Sequence, residues 1–388
     1  MATQSNVCNI HLYASPLTHE SRILRMTKVA ASLKFFDTIQ IVGYREQNLP
    51  NREIIDQYRT IVRLPSLHRL PKLRGFAVIR YLYWYLWVIL SYARKDVRII
   101  HSNGVEDLLP AIVLKLLHPR SKLIYDAHEL ETERSGWTNL NKRIAAWVES
   151  KWINKADVVF VVSGLIGQWY QDHYRLKNVN LVRNIAERTK GQVVATFDIR
   201  NRIQAAEGDL VFLYQGAFFE GRGLEALVAA FQDLPQSFHL VLLGYGRLES
   251  SLKALAREVS NIHILPPAHP NEILSYTAQA DIGLCLIEDT CLSYRYCLPN
   301  KLFEYIQAGL PVLVSDLPEL SAFVQQNQCG WQVACKSEAL KAFVLNLDKG
   351  KLAEVKSRIA QVADQNSWSL EKRVVERVYT ELNDEYNQ

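Results

Sequence analysis

Short runs of β-branched and apolar residues punctuate the chain, and between them apolar positions return at helical spacing. In the first half the runs are Val7–Tyr13, Thr38–Val42, Val97–His101, Lys122–Tyr125 and Val158–Val162. In the second they are Leu210–Tyr214, His239–Leu243, Ile262–Leu265, Ile282–Leu286 and Pro311–Val314. Runs this short and this apolar predict strands, and their alternation with helical patterns predicts βαβ units and parallel sheets. Ten such strands fit an α/β chain of two doubly wound, Rossmann-like domains better than one giant sheet. The polar stretch Val182–Gln192 marks the seam, giving domains over 1–183 and 184–367. Residues 368–388 read as one amphipathic helix with Val374, Val375, Val378, Tyr379 and Leu382 along its apolar stripe, expected to cross back to the first domain.

Length supports this division, since 388 residues exceed one average domain. With 48% hydrophobic and 22% charged residues the chain is globular. The net charge of +5 is mild and does not argue for nucleic acid as a partner, but its distribution matters. From Gln57 to Lys95 there is no Asp or Glu, while Arg59, Arg63, Arg69, Lys72, Arg74, Arg80, Arg94 and Lys95 all fall there. Inside lies FAVIRYLYWYLWVILSYA, Phe76 to Ala93, whose longest uncharged run starts at Tyr81. That run is too short to span a bilayer, which takes about 20 apolar residues. Tyr, Trp and flanking basic residues settle at membrane interfaces. Arg74, Arg80, Tyr83, Trp84 and Trp87 are therefore expected to touch an anionic membrane surface; a buried core helix is the alternative.

The six cysteines contain no C-x-x-C pair, so neither a metal site nor a disulfide framework is expected. The N-terminal MATQSNVCNIHLYASP lacks a charged n-region and an apolar h-region, unlike a signal peptide, so a reducing cytosol is expected.

Parallel sheets bind ligands at the carboxyl ends of their strands, and two such domains would line a shared cleft there. The loop after the first strand, ASPLTHESRILR, has no glycine, which counts against a dinucleotide fold. It offers Ser15, His19, Glu20, Arg22 and Arg25, read as an acceptor- or phosphate-facing set, with a plain solvated loop as the alternative. After KLIY comes DAHELETER, with Asp126, His128, Glu129 and Glu131 at a strand exit. A histidine there can exchange hydrogen bonds with a sugar hydroxyl or a developing oxyanion, which makes His128 a catalytic candidate. After LVFLY comes QGAFFEGRGLEAL, where Gly216 ends the strand and Gly221 and Gly223 bracket Arg222. Glycines allow close approach to a ligand, and an arginine beside a helix start suits a diphosphate. The turn GYGRLE keeps another strand exit open through Gly244 and Gly246.

The stretch LPNKLFEYIQAGLPVLVSD carries the sharpest signal. Pro299 excludes helical geometry before it, and Asn300 is a natural N-cap. The first-turn amides near Lys301 and Leu302 have no carbonyl partners within a helix and favour an anion. Glu304, one turn later, can accept both hydroxyls of a ribose. One helix start would thus take the phosphates and the sugar of a nucleotide, unless it is only a capped core helix.

In order, the strings QGAFFEGRGLEAL, LVLLGYGRLE, AQADIGLCLI and LPNKLFEYIQAGLPVLVSD resemble the second domain of GT-B-fold glycosyltransferases of the retaining family 4. DAHELE and VVFVVSGLIGQWY resemble its first domain. The resemblance covers most of the chain and is weakest from residue 44 to 96. It implies a nucleoside-diphosphate sugar donor, with UDP or GDP as its nucleotide, and no required cofactor. Arg222 matches the basic residue that holds the diphosphate, and Glu304 the second glutamate of an E-x7-E pattern, the ribose ligand. The first glutamate is replaced by Tyr296, so contacts to the transferred sugar, expected near His128, Tyr296, Leu298 and Pro299, do not follow the family. A second basic residue usual after the glycine matching Gly216 is also missing, because Ala217 and Phe218 stand there. Base recognition through backbone atoms would fall near Leu265–His269.

The implied reaction is transfer to a hydroxyl with retention, the departing phosphate taking the acceptor's proton and no metal taking part. The acceptor, a saccharide or lipid-linked sugar, would meet Ser15, Arg22 and Glu129. The setting would be bacterial surface polysaccharide or glycolipid assembly, peripheral on the cytoplasmic face of the plasma membrane. A two-domain nucleotide-sugar epimerase and a non-catalytic sugar-nucleotide-binding subunit are the alternatives.

Overall fold

A computed structural model describes residues 7–18, 20–67, 74–187 and 196–388, with side chains from Val78 onward in the segment that resumes at Arg74. The chain divides into two compact units. The first comprises Met1–Arg183 with Glu371–Gln388, and the second Asn184–Leu370.

The first unit is built on strands β1 (Cys8–Leu12), β2 (Thr38–Tyr44), β3 (Arg52–Ile54), β4 (Arg59–Leu64), β5 (Val97–Ser102), β6 (Lys122–Ala127), β7 (Val158–Val161) and β8 (Val179–Leu181). They form one sheet in the order β3-β4-β2-β1-β5-β6-β7-β8. Every pairing is parallel except β3 against β4. Buried on both faces, β7 reads as a continuous apolar run, whereas β1, equally buried, alternates apolar residues with Asn9 and His11. The helices of this unit include α1 (Ser21–Ser32), α2 (Arg74–Tyr92), α3 (Leu108–Leu117), α4 (Asn139–Trp152) and α5 (Gly164–Tyr174). Helix α3 packs between α2 and α4.

The second unit holds β9 (Leu210–Ala217), β10 (Phe238–Tyr245), β11 (Ile262–Leu265), β12 (Ile282–Cys285), β13 (Val312–Ser315) and β14 (Gly330–Val333). All are parallel, in the order β11-β10-β9-β12-β13-β14. Alternation along the strands splits the core in two. Val211, Leu213, Val241, Leu243 and Val314 point to one face, Phe212, Tyr214, Leu240, Leu242 and Leu313 to the other. The strand order reverses direction between β9 and β12, so the loops leaving these strands part and open a crevice at their carboxyl ends. The first unit has the same reversal between β1 and β5.

Among the described residues no helix is long and apolar enough to cross a membrane. Trp84, expected at a membrane interface, is instead core: its side chain is 1% exposed and Nε1 donates to the Gly43 carbonyl at 2.9 Å. The indole N–H finds its acceptor in β2, which fixes that face of α2 inward. Tyr83 and Trp87 are half-buried, their rings edge to face. Arg69 and Lys72 lie outside the described residues, as does the side chain of Arg74. Arg63 is also turned inward, donating to the Pro16, Leu17 and Pro50 carbonyls and pairing with Glu53.

The last helix, Trp368–Asn387, contributes Val375, Val378, Tyr379 and Leu382 to the buried interior, while Val374 is only half-buried. The Tyr379 hydroxyl sits 3.1 Å from both His11 Nε2 and His101 Nδ1, beneath the first sheet. Glu371 receives the backbone amide and the guanidinium of Arg183.

Candidate functional site

In the second unit the crevice beside β9 gathers most of the residues singled out above. Gly216, one residue short of the end of β9, has φ +120° and is exposed; a side chain in this conformation would be strained, and a Cβ would come within 3.8 Å of Lys301 Nζ. Gly221, φ +79°, lies where a Cβ would stand 2.6 Å from the Tyr294 ring. Its carbonyl accepts from the Glu288 amide, and the Glu288 carboxylate accepts from the Gly223 amide at 3.3 Å. These ties hold Arg222 on a fixed loop, with its guanidinium 4.8 Å from the centre of the Tyr294 ring.

The helix Asn300–Gln307 enters from the other side. Asn300 is its first helical residue and makes no side-chain capping bond; Pro299, in extended geometry (φ −77°, ψ 153°), takes the capping position. The Pro299 carbonyl accepts from the Leu302 amide at 3.1 Å, tightening the first turn. Leu302 therefore does not offer its N–H to a ligand as expected, and its side chain is fully buried. The amides of Asn300 and Lys301 remain as first-turn donors. Leu298, expected near the donor sugar, is core, 5% exposed. Its apolar side chain packs into the core of the second unit at the helix entry. Tyr296 and Pro299 are half-buried just ahead of the helix. Pro266 and Pro267, within the stretch suggested for base contacts, are exposed where the chain leaves β11.

Lys301 is the feature the sequence alone did not resolve. Its Nζ stands 3.6 Å over the Tyr214 ring, beside Gly216. Burial lowers its pKa to about 7, the Cys285 and Cys297 thiols and the Glu304 carboxylate working against this and Arg222 with it. The side chain thus brings its charge to the end of β9, where Ala217 and Phe218 supply none. Glu304 is held from below: Gln215 Nε2 donates to its Oε2 at 2.6 Å, and the Thr277 hydroxyl donates to Gln215 Oε1 at 2.6 Å. The Tyr305 hydroxyl in turn receives the Gln215 amide. Gln215 went unnoticed in the sequence, although a polar residue inside the apolar strand LVFLYQGA is itself a signal.

In the first unit, a second cluster lies at the carboxyl ends of β1, β5 and β6. His128 is 22% exposed, its ring 5.7 Å from Tyr13 and its Nε2 3.6 Å from Asp126 Oδ2. That distance is electrostatic rather than a hydrogen bond. Burial alone would raise the Asp126 carboxyl, but Arg22, His101 and His128 outweigh it and hold its pKa well below the usual range. Arg22 is not available to an acceptor: it is 4% exposed, grips Asp126 through two bonds of 2.7 and 2.9 Å, and donates to the Val182 carbonyl. A buried guanidinium needs that carboxylate, which explains why it turns inward. Ser15 donates to Glu20 and accepts from the Leu17 amide. His19 lies outside the described residues. Glu129 is 39% exposed and pairs with Arg134, which also reaches Glu106 and Glu131. No group of three or more His, Cys, Asp or Glu side chains among the described residues is arranged to hold a metal.

A family model described as "Glycosyl transferases group 1" matches residues 209–348, and one described as "Glycosyltransferase Family 4" matches residues 39–186. The amylovoran biosynthesis glycosyltransferase AmsK of Erwinia amylovora is 27% identical over 139 residues, 34% of this chain and 34% of that protein. The match thus spans about a third of that relative's length. Sucrose-phosphate synthase from Thermosynechococcus elongatus superposes with a TM-score of 0.77 at 14% identity, over 98% of this chain and 99% of that one. HepE from Anabaena, solved in complex with UDP-glucose, gives 0.72 at 13% identity, over 96% and 99%. At these identities the likeness to the solved structures is one of fold.

Proposed function

Because the chain belongs to the group 1 glycosyltransferases, enzymes of GT-B fold that draw on nucleotide-sugar donors, we propose that it transfers a sugar with retention from UDP or GDP to a hydroxyl of a saccharide or lipid-linked acceptor. The observation that carries this reading is the meeting of Lys301 and Glu304 beside exposed Gly216 at the switch point of the second sheet, with Arg222 near enough to act on the Lys301 charge. Arg222 and the Lys301 ammonium take the diphosphate, helped by the amides of Asn300 and Lys301. Glu304, oriented by Gln215, accepts the ribose hydroxyls. A uridine donor is favoured by the UDP-glucose held by HepE, and a role in bacterial surface polysaccharide by the name of AmsK.

The chemistry asks little of a nucleophile. The bond from the anomeric carbon to the phosphate oxygen breaks, and the nucleoside diphosphate leaves with the electron pair. The acceptor oxygen forms the new bond on the same face and gives its proton to the departing phosphate. What the protein supplies is fixed positive charge where negative charge grows, each such donor contributing about 2.7–4 kcal/mol. His128 hydrogen-bonds a sugar hydroxyl, with Ser15 and Glu129 beside it for the acceptor.

The test is incubation of the purified protein with UDP- and GDP-sugars and a panel of saccharide and lipid-linked acceptors. The anomeric configuration of the product is read by NMR. Retention of the donor configuration is expected. An inverted linkage, or an epimer formed from donor alone, rejects the reading.

A further inference from the structure

Large hydrophobic side chains are not scattered evenly over this protein. Among the described residues, twelve of the twenty that stand exposed lie on α2, α3 and α4. On α2 the stripe is Val78, Ile79, Leu82, Leu86 and Leu90, the face opposite buried Trp84, Val88 and Tyr92. On α3 it is Val113, Leu116 and Leu117; on α4 it is Leu140, Ile144 and Trp147. Since α3 packs between α2 and α4, the three stripes belong to one helical layer. Contiguous exposed apolar surface of this kind marks an interaction site.

Charge tells what covers it. Helices α2 and α3 carry Arg74, Arg80 and Lys115 and no acidic residue. Helix α4 adds Lys142, Arg143 and Lys151, against Glu149 alone. Glu149 is fully buried, its carboxylate receiving the hydroxyls of Tyr125, Tyr170 and Tyr174, so it offers no negative charge outside. Lys151 extends the α4 stripe with its Nζ over both the Trp147 and the Trp152 rings, an aromatic–cation pairing suited to a headgroup region. A second copy seated on this face by two-fold symmetry would set the same basic patch against itself. A surface that is apolar at the centre and negative around it would not.

We propose that the α2–α3–α4 face docks the protein onto an anionic lipid bilayer, its leucine stripes and Trp147 in the interface and Arg143 and Lys151 against the headgroups. Helix α2 also links this face to the candidate acceptor residues. Its Tyr85 hydroxyl donates to the Glu106 carbonyl at 2.6 Å, and the Glu106 carboxylate pairs with Arg134, the partner of Glu129. An acceptor carried by lipid would meet the protein there, a corollary that rests on the transfer reading; the docking itself does not.

The experiment is co-sedimentation of the full chain with vesicles of phosphatidylcholine alone, or of equal parts phosphatidylcholine and phosphatidylglycerol, with no nucleotide sugar present. Binding to the anionic vesicles that weakens as salt rises is expected. The double variant Leu82→Glu/Leu86→Glu is expected to lower the partition coefficient at least tenfold. Arg143→Gln/Lys151→Gln should lower it by roughly twenty-five-fold, about fivefold per charge lost. Leu255→Glu, exposed on the second unit, serves as the control and leaves it unchanged. Thermal melting and UDP binding show that each variant is folded. Equal sedimentation with and without phosphatidylglycerol, or variants that sediment like the parent, overturns the proposal. So does a gel-filtration shift from dimer to monomer in the variants with vesicle binding unchanged, because the face then belongs to a second copy.

Discussion

Lys301 should make donor binding depend on pH in a range where few lysines titrate. In the empty site burial brings its pKa from 10.5 to about 7, so near pH 8 most molecules carry a neutral amine there. A diphosphate beside Nζ favours the ammonium, so the pKa rises on binding and a proton is taken up with the ligand. The sign follows by linkage. Below pH 7 the amine is charged in both states and affinity is flat; above it, affinity falls with pH until the pKa of the bound state is passed. If that value reaches 9, the loss between pH 7 and pH 9 is about twenty-five-fold, roughly 1.9 kcal/mol, out of a limiting hundredfold at 1.36 kcal/mol per unit. The second phosphate ionisation, near pH 6, is complete in this window and does not contribute. Calorimetric titration with UDP at pH 7, 8 and 9, repeated in buffers of different ionisation enthalpy, reads both the affinity and the proton count. Lys301→Met should bind more weakly at pH 7 and show no slope. A flat profile for the unaltered protein with no proton uptake would refute the placement of the amine against the diphosphate.

Other expectations follow from neighbouring geometry. Arg222→Ala should lower kcat/KM by about 10²–10³, and Glu304→Gln should weaken UDP binding more than it weakens binding of inorganic pyrophosphate, both measured by competition. Gln215→Leu removes the amide that donates to the Glu304 carboxylate, so it should lower nucleotide affinity; rescue by Gln215→Asn would mean that orientation, which a shorter amide cannot supply, was not the cause. Arg22→Leu strands the Asp126 carboxylate and should cost about 3–5 kcal/mol in urea unfolding. Because the folded pKa of Asp126 is depressed, the stability from this pair is present above the ordinary carboxylate value, about 3.9, and is lost as pH falls through the folded value; Arg22→Leu should therefore flatten the acid limb of the stability curve.

The ten strands expected from the sequence all form, within a few residues of their ends, because buried parallel strands must be apolar and say so. The four that were missed are polar, short or at an edge. In β4 the run RTIVRL hides a buried arginine whose bonds are all to loop carbonyls and Glu53, and β14 is only GWQV. The cluster beside β9 was legible for a related reason: Gly216, Arg222 and Glu304 each stand out in composition near a strand's end or a helix start. What composition could not show was direction. Arg22 and Trp84 have the chemistry of a ligand contact and a membrane anchor, yet each finds a better partner inside, Asp126 for one and the Gly43 carbonyl for the other. Lys301 was noticed for its amide, whereas its side chain carries the charge, because no sequence pattern says that Nζ will cross over the Tyr214 ring. The aliphatic stripe of α2 was masked in the same way by the aromatic residues interleaved with it.

The first unit is assembled from two stretches of chain separated by the whole of the second, with Tyr379 set between His11 and His101. On a ribosome, Asn184–Leu370 can close as soon as it has emerged, but the earlier half must wait, its sheet partly uncovered, until Leu382 leaves the exit tunnel. That delay falls on the part with the greasiest exterior, so the first unit stays exposed to misfolding for as long as the second takes to be made and the last helix to follow it.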